Sequence, residues 1–342
     1  MLQFAPELDN VRAAVAWANG PTGNRQVAID LAAATDMLWD ARGFNNEGAQ
    51  LYRVIEPWID QSVPPLSAAR FWFAVADLRM RTEAKRQAEA ALKAAALFRN
   101  LGDRFGTFRS LTVAAHQFAL LVNREGAKQA LDEAATLLDE GWPEWLETSL
   151  AFGRVLFSYL VEADHATAKK LAEAAIVGHR LGDSFYADRC ALMLPSFDLA
   201  AGDFTSALGR CDEILASSSV VESVQLRSQT LVIRGAALIN IGELREADAT
   251  LRTACTLLMH AIGPSTYPYC YAAHLLALQG RLADAARTIG WIEARMRQAD
   301  RDGIPPVALS SYKAACDIVE SASAGKNGTG TLAKGRCLIY SK

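Results

Sequence analysis

A seven-residue turn recurs in this chain about every forty residues and limits its fold more than any other feature. In Ala201-Gly202-Asp203-Phe204-Thr205-Ser206-Ala207, Ile241-Gly242-Glu243-Leu244-Arg245-Glu246-Ala247 and Gln279-Gly280-Arg281-Leu282-Ala283-Asp284-Ala285, a glycine is followed two residues on by a large apolar residue and five on by alanine. Glycine ends a helix in a backbone conformation that costs other residues energy, and the apolar residue packs as the next helix begins. The alanine sits where the second helix crosses the first, and a longer side chain there would hold the backbones apart.

Gly48, Ala88, Ala130 and Ala168 extend this register upstream of Ala207, Ala247 and Ala285, at intervals of 38 to 42 residues. Outer turns repeat as well, at Leu101-Gly102-Asp103, Leu181-Gly182-Asp183 and Ile262-Gly263-Pro264, each a helix stop followed by a start. Between turns the apolar spacing is helical, as in Leu131, Ala134, Ala135 and Leu138, and no segment shows strand alternation.

The sequence therefore predicts an all-α, right-handed superhelical solenoid of about seven helix-turn-helix repeats of 38–42 residues. Helix pairs are expected at 26–59, 66–101, 103–139, 143–181, 183–217, 222–262 and 265–300, with a closing helix at 306–322. An opening helix would occupy residues 1–25, the solenoid 26–322, and a flexible polar tail 323–342.

The remaining composition narrows the function. A net charge of −3, with lysines and arginines scattered among acidic residues, argues against direct nucleic-acid contact. No apolar run nears the roughly 18 residues of a membrane span, and the N-terminus lacks a charged and apolar signal pattern, so a cytoplasmic location is expected. The six cysteines, Cys190, Cys211, Cys255, Cys270, Cys316 and Cys337, have no C-x-x-C spacing and read as reduced thiols; the five histidines have no metal-ligand spacing. With no Ser-His-Asp, Cys-His or paired-carboxylate arrangement, the reading is binding rather than catalysis, with no cofactor.

The turn pattern resembles the tetratricopeptide (TPR) family, although its unit is longer than that family's roughly 34 residues. In such stacks the first helix of each pair lines the concave face. Counting from the crossing positions, the inward residues are Arg70, Phe73, Asp77 and Met80 in the second unit, and Phe157 in the fourth. The later units add Arg189, Leu192, Ser196, Leu199, Gln229, Val232, Asn240, Tyr267 and His274. This mixed set suits a protein, an amphipathic peptide or a small-molecule inducer, with apolar burial for affinity and polar groups for orientation. Pro195, inside a first helix, is expected to bend it and make the fifth unit an irregular pocket. The aromatic clusters Phe71-Trp72-Phe73, Trp142-Pro143-Glu144-Trp145 and Tyr267-Pro268-Tyr269-Cys270-Tyr271 read first as interhelical core.

A second resemblance concerns the ends. Glu7-Leu8-Asp9-Asn10-Val11-Arg12-Ala13-Ala14-Val15-Ala16-Trp17-Ala18 is similar to the start of the C-terminal helical domain of bacterial STAND-type ATPase regulators. There it follows a P-loop ATPase module and a winged helix. Ala285-Ala286-Arg287-Thr288-Ile289-Gly290-Trp291-Ile292-Glu293-Ala294-Arg295 and Tyr312 resemble the last repeat and closing helix of the same regulators.

The resemblance implies a signal-sensing domain; a free-standing TPR-like scaffold for protein assembly is the alternative. ATP hydrolysis does not carry over, because no G-x-x-x-x-G-K-[ST] loop is present and Gly325-Lys326-Asn327-Gly328-Thr329-Gly330 lacks the required order.

Overall fold

The computed structural model describes residues 8–42, 44–78, 83–180, 184–217, 223–261, 265–298 and 304–326. Met80, the outer turns at 181–183 and 262–264, and the tail from 327 onward lie outside the described residues.

Every described element is helical or a turn. The chain opens with α1 (Leu8–Ala18), α2 (Arg25–Ala34), α3 (Asp36–Arg42), α4 (Asn45–Ile55) and a 3-10 turn (Glu56–Trp58). Helix pairs follow as α5 (Pro65–Asp77) with α6 (Ala84–Asn100), α7 (Arg104–Leu120) with α8 (Arg124–Leu137), and α9 (Trp145–Leu156) with α10 (His165–Ile176). A π-helical turn (Phe157–Val161) lies between the last two. Next come α11 (Phe185–Ala200) with α12 (Phe204–Ala216), α13 (Val224–Ile241) with α14 (Leu244–Ala261), and α15 (Tyr267–Leu278) with α16 (Leu282–Gln298). The chain closes with α17 (Pro306–Lys326), which runs four residues beyond the expected helix end at 322.

The predicted inner turns take a common form. Gly202, Gly242 and Gly280 all have positive φ, at 79°, 89° and 73°, and the next residue's N–H reaches the carbonyl five residues back: Asp203 to Asp198, Glu243 to Leu238, Arg281 to Leu276. This closure satisfies a carbonyl left without a partner at the helix end. The outer turn at Gly102 shares it, with φ 70° and Asp103 N–H bonded to Phe98 O at 2.9 Å. Asp103, Asn123, Asp164, Ser184, Asp203 and Ser223 then cap the following helices through their side chains.

Units three and four make the same turn without glycine. Val122 (φ 55°) and Ala163 (φ 56°) occupy the left-handed position; Asn123 N–H then reaches five residues back to Phe118 O, and Asp164 N–H, after the π turn, six back to Ser158 O, both at 2.9 Å. Counting five residues on gives Ala168, as expected, but Ala127 rather than Ala130 as the crossing residue of the third unit. Ala127, Ala168, Ala207, Ala247 and Ala285 have no exposed surface. At Gly48 an added Cβ would stand 2.8 Å from the Trp39 ring, so close approach explains that small residue too.

The first unit departs from a simple pair. The expected 26–59 hairpin is broken at Thr35, whose hydroxyl bonds back to Leu31 O (2.8 Å) and Ala32 O (3.4 Å), an alternative to continuing the helix. Asp9 lies in the first turn of α1 and pairs with Arg12. Pro195 lies within α11 without ending it; its missing N–H removes one intrahelical bond.

First helices pack on first helices along an inner row running from α2 through α5, α7, α9, α11, α13 and α15 to α17, while α6, α8, α10, α12, α14 and α16 pack outside it. The row curls, so that α17 also touches α11. Buried apolar residues follow the row in overlapping clusters, which is how a stack of units unable to bury both faces alone becomes stable. The aromatic clusters are largely core: Phe71 packs edge-on against Tyr52 and Trp72, and Tyr271 is buried. No helix among the described residues is long and apolar enough to cross a membrane.

Candidate binding cavity on the inner face

The inward curl encloses a cavity of about 150 Å³ whose wall comes from α5, α7, α9, the π turn, α11, α13 and α15, with Pro305 closing one side. Its surface is mainly apolar, from Val113, Leu120, Leu156, Leu192, Met193 and Ile233. An apolar void of about this size takes a benzene-sized group, so the enclosed part fits one ring or branched side chain and the rest of any ligand must lie along the open groove.

Its polar groups are sparse and oriented. Arg189 stacks on the Phe185 ring, 4.6 Å to the centroid, and donates to Gln225 Oε1 at 3.1 Å, which ties α11 to α13. His116 is wedged edge-on against Phe152 (5.1 Å) and near Tyr186 (5.8 Å), with Nε2 3.3 Å from Ser149 O. Asp77, Gln117 and Gln229 complete the polar rim.

Several sequence-selected residues meet here: Asp77, Arg189, Leu192, Ser196, Gln229 and Tyr267 all line this cavity. Arg70 and Phe73 line a second hollow toward the N-terminus. Asn240, His274 and Leu199 border a third hollow beside α17, where Asn240 donates to Ala236 O. Two residues face elsewhere. Val232 is fully buried in the core of α13, and Phe157 lies beneath the Arg124 guanidinium at 5.6 Å. The π turn inserts an extra residue between α9 and Ala168, so the position counted back from Ala168 falls on Phe157 while its neighbour Leu156, with Tyr159 and Leu160, reaches the cavity.

Counting from crossing positions missed the third unit's first helix entirely. Val113, His116, Gln117 and Leu120 line the cavity at the i, i+3, i+4, i+7 spacing of one helix face, which was the available signal.

Reactive groups are muted. Burial pushes the thiols of Cys190, Cys211 and Cys270 up to about 12 and that of Cys255 to about 11, so these are poor nucleophiles. Burial lowers the pKa of His274, which favours the neutral ring. No group of three or more His, Cys, Asp or Glu side chains among the described residues could hold a metal ion.

Comparison with known proteins gives three findings. No family model matches the chain. It is 25% identical over 276 residues to provisionally named HTH-type transcriptional regulators of Mycobacterium tuberculosis (strain H37Rv) and Mycobacterium bovis, covering 78% of this chain and 31% of each regulator. The chain thus spans about a third of those relatives' length.

Among solved structures, a Rap protein complexed with competence and sporulation factor matches with a TM-score of 0.58 at 13% identity, over 95% of this chain and 80% of that one. The chain is weakly homologous to HTH-type regulators and has the TPR-like helical solenoid fold.

Proposed function

We propose that this chain is the signal-sensing part of a STAND-type transcriptional regulator, binding a peptide or small-molecule inducer on the inner face of the solenoid. The observation that carries the reading is the cavity itself, because successive first helices contribute wall residues to one apolar pocket with Arg189, Gln225, His116 and Asp77 spaced around it. Burial there supplies affinity, and the few polar groups fix orientation.

Similarity to HTH-type regulators and to a Rap protein whose structure was determined with a bound factor supports the same direction. A pocket walled by many repeats also suits signalling. A ligand touching α5, α7, α11 and α13 together favours the curl that brings them together, and a ligand shifts a conformational equilibrium only by its difference in affinity between states.

The test is a thermal-shift screen of the chain against a metabolite set and a short-peptide set, repeated with Ser196→Phe, which fills the cavity. Stabilisation of the parent chain that Ser196→Phe abolishes supports sensing through this pocket. No stabilisation by either set, or stabilisation unaffected by Ser196→Phe, would count against sensing through this pocket and favour a scaffold instead.

A further inference from the structure

Several arginines that face the outer helices stitch the stack together. Arg86 pairs with Glu56 and Glu83, Arg99 with Glu133, Arg124 with Glu162, and Arg234 with Asp212 and Glu246. Arg70 of α5 and Arg109 of α7 line the inner hollow near the N-terminus, and among the described residues neither makes an ion pair.

Arg109 is half-buried and held by rings: its guanidinium carbon lies 4.2 Å from the centroid of Phe73 and 5.9 Å from those of Phe105 and Trp145. Those rings are themselves fixed, since Phe105 packs edge-on against Trp142 and Trp145, and Phe73 is buried.

Ring stacking uses the faces of a guanidinium and leaves its in-plane N–H donors, the fork that matches an oxyanion's paired oxygens. Arg109 is half-buried against rings and makes no ion pair among the described residues, so an anion that meets its in-plane donors would offset the water it has lost.

Three carboxylates also border the hollow. Asp103 is engaged at the Gly106 N–H (2.8 Å) as the cap of α7, and Asp30 accepts from Gln26 at 3.0 Å. Asp36 stands at the start of α3.

We infer that the Arg70–Arg109 hollow is an oxyanion-binding site, in which Arg109 receives a carboxylate or phosphate group of a ligand edge-on while Phe73 and Phe105 contact its apolar part and Trp145, beside Arg109, reports on its occupancy. This goes beyond the cavity at Arg189, because it adds an anionic group to the ligand chemistry and rests on a separate set of residues.

The test follows the Trp145 indole N–H by NMR while the chain is titrated with acetate, benzoate, inorganic phosphate or phenyl phosphate at constant ionic strength. A saturable shift is expected, strongest for the two ring-bearing ions. Arg109→Gln weakens it about tenfold or more, the scale of a lost charge-assisted hydrogen bond.

Arg109→Lys, which keeps the charge without the fork, is also weaker than the parent chain. Arg70→Gln, at an exposed position, weakens binding without touching the core and stays interpretable if Arg109→Gln lowers the melting temperature. A preference for the two phosphates identifies a phosphorylated ligand; a preference for benzoate over phenyl phosphate identifies a carboxylate; either supports the site.

Shifts that do not saturate, or that persist unchanged in Arg109→Gln and Arg70→Gln, overturn it. Ser196→Phe leaves the anion response intact, so failure at the Arg189 cavity and failure here are read separately.

Discussion

Ala163 holds a left-handed backbone, with φ 56°, at the position where three later turns carry glycine. An L-residue with a Cβ pays about 1–2 kcal/mol in that region. Ala163 is exposed, so replacing it by glycine forfeits almost no buried surface. Against the relief stands the greater freedom of glycine in the unfolded chain, about 0.4–1 kcal/mol. Ala163→Gly should therefore stabilise the chain by roughly 0.5–1 kcal/mol.

Gly242→Ala makes the reverse change at φ 89°. There an added Cβ meets no atom within 4 Å, so its cost is conformational alone, about 1 kcal/mol of destabilisation. Because a repeat array can open locally, urea midpoints are best combined with amide hydrogen exchange across α9–α10 and α13–α14. Slower exchange in the first pair for Ala163→Gly and faster exchange in the second for Gly242→Ala is the expected outcome. An unchanged or faster α9–α10 in Ala163→Gly would refute the claim that this turn is strained in the same way.

Two further predictions rest on close contacts and on one titrating ring. A Cβ added in Gly106→Ala would stand 2.5 Å from the buried Phe98 ring, so the variant should lose about 1–3 kcal/mol by overpacking, read as a lower urea midpoint with an unchanged slope. His274 is half-buried, its Nδ1 has no hydrogen-bond partner among the described residues, and burial lowers its pKa below the ordinary value of about 6.5. The unfolded chain then binds a proton that the folded chain refuses, so stability is full above about pH 6.5 and falls as pH drops from there to the lowered folded value. His274→Gln should flatten that part of the pH–stability curve, and a curve identical to the parent chain would remove His274 as its source.

The repeat was legible wherever chemistry forced a visible residue. Gly202, Gly242 and Gly280 are needed for positive φ, and their crossing alanines followed at the predicted spacing. Where Val122 and Ala163 take the same conformation, no glycine marks the turn. The third unit was therefore placed three residues late, at Ala130 instead of Ala127. Thr35 broke the first hairpin through a hydroxyl bond whose choice of acceptor depends on a conformation that spacing alone does not reveal.

At the candidate cavity, inward positions counted along regular helices fell on its wall for Arg189, Leu192, Ser196 and Gln229. Phe157 failed because a π turn changed the periodicity underneath it, and Val232 because it sits one position off the Gln225, Gln229 and Ile233 stripe. Ring stacking on Arg109 joins α5, α7 and α9, so it needed the packing itself.

The central claim, that first helices from successive units converge on one ligand cavity, is tested most directly by methyl NMR of the chain titrated with indole. Shifts confined to Val113, Leu120, Leu156, Leu192, Met193 and Ile233, on α7, α9, α11 and α13 together, and absent in Ser196→Phe, are the predicted result. Shifts spread over outer-helix methyls, or unchanged in Ser196→Phe, would contradict it.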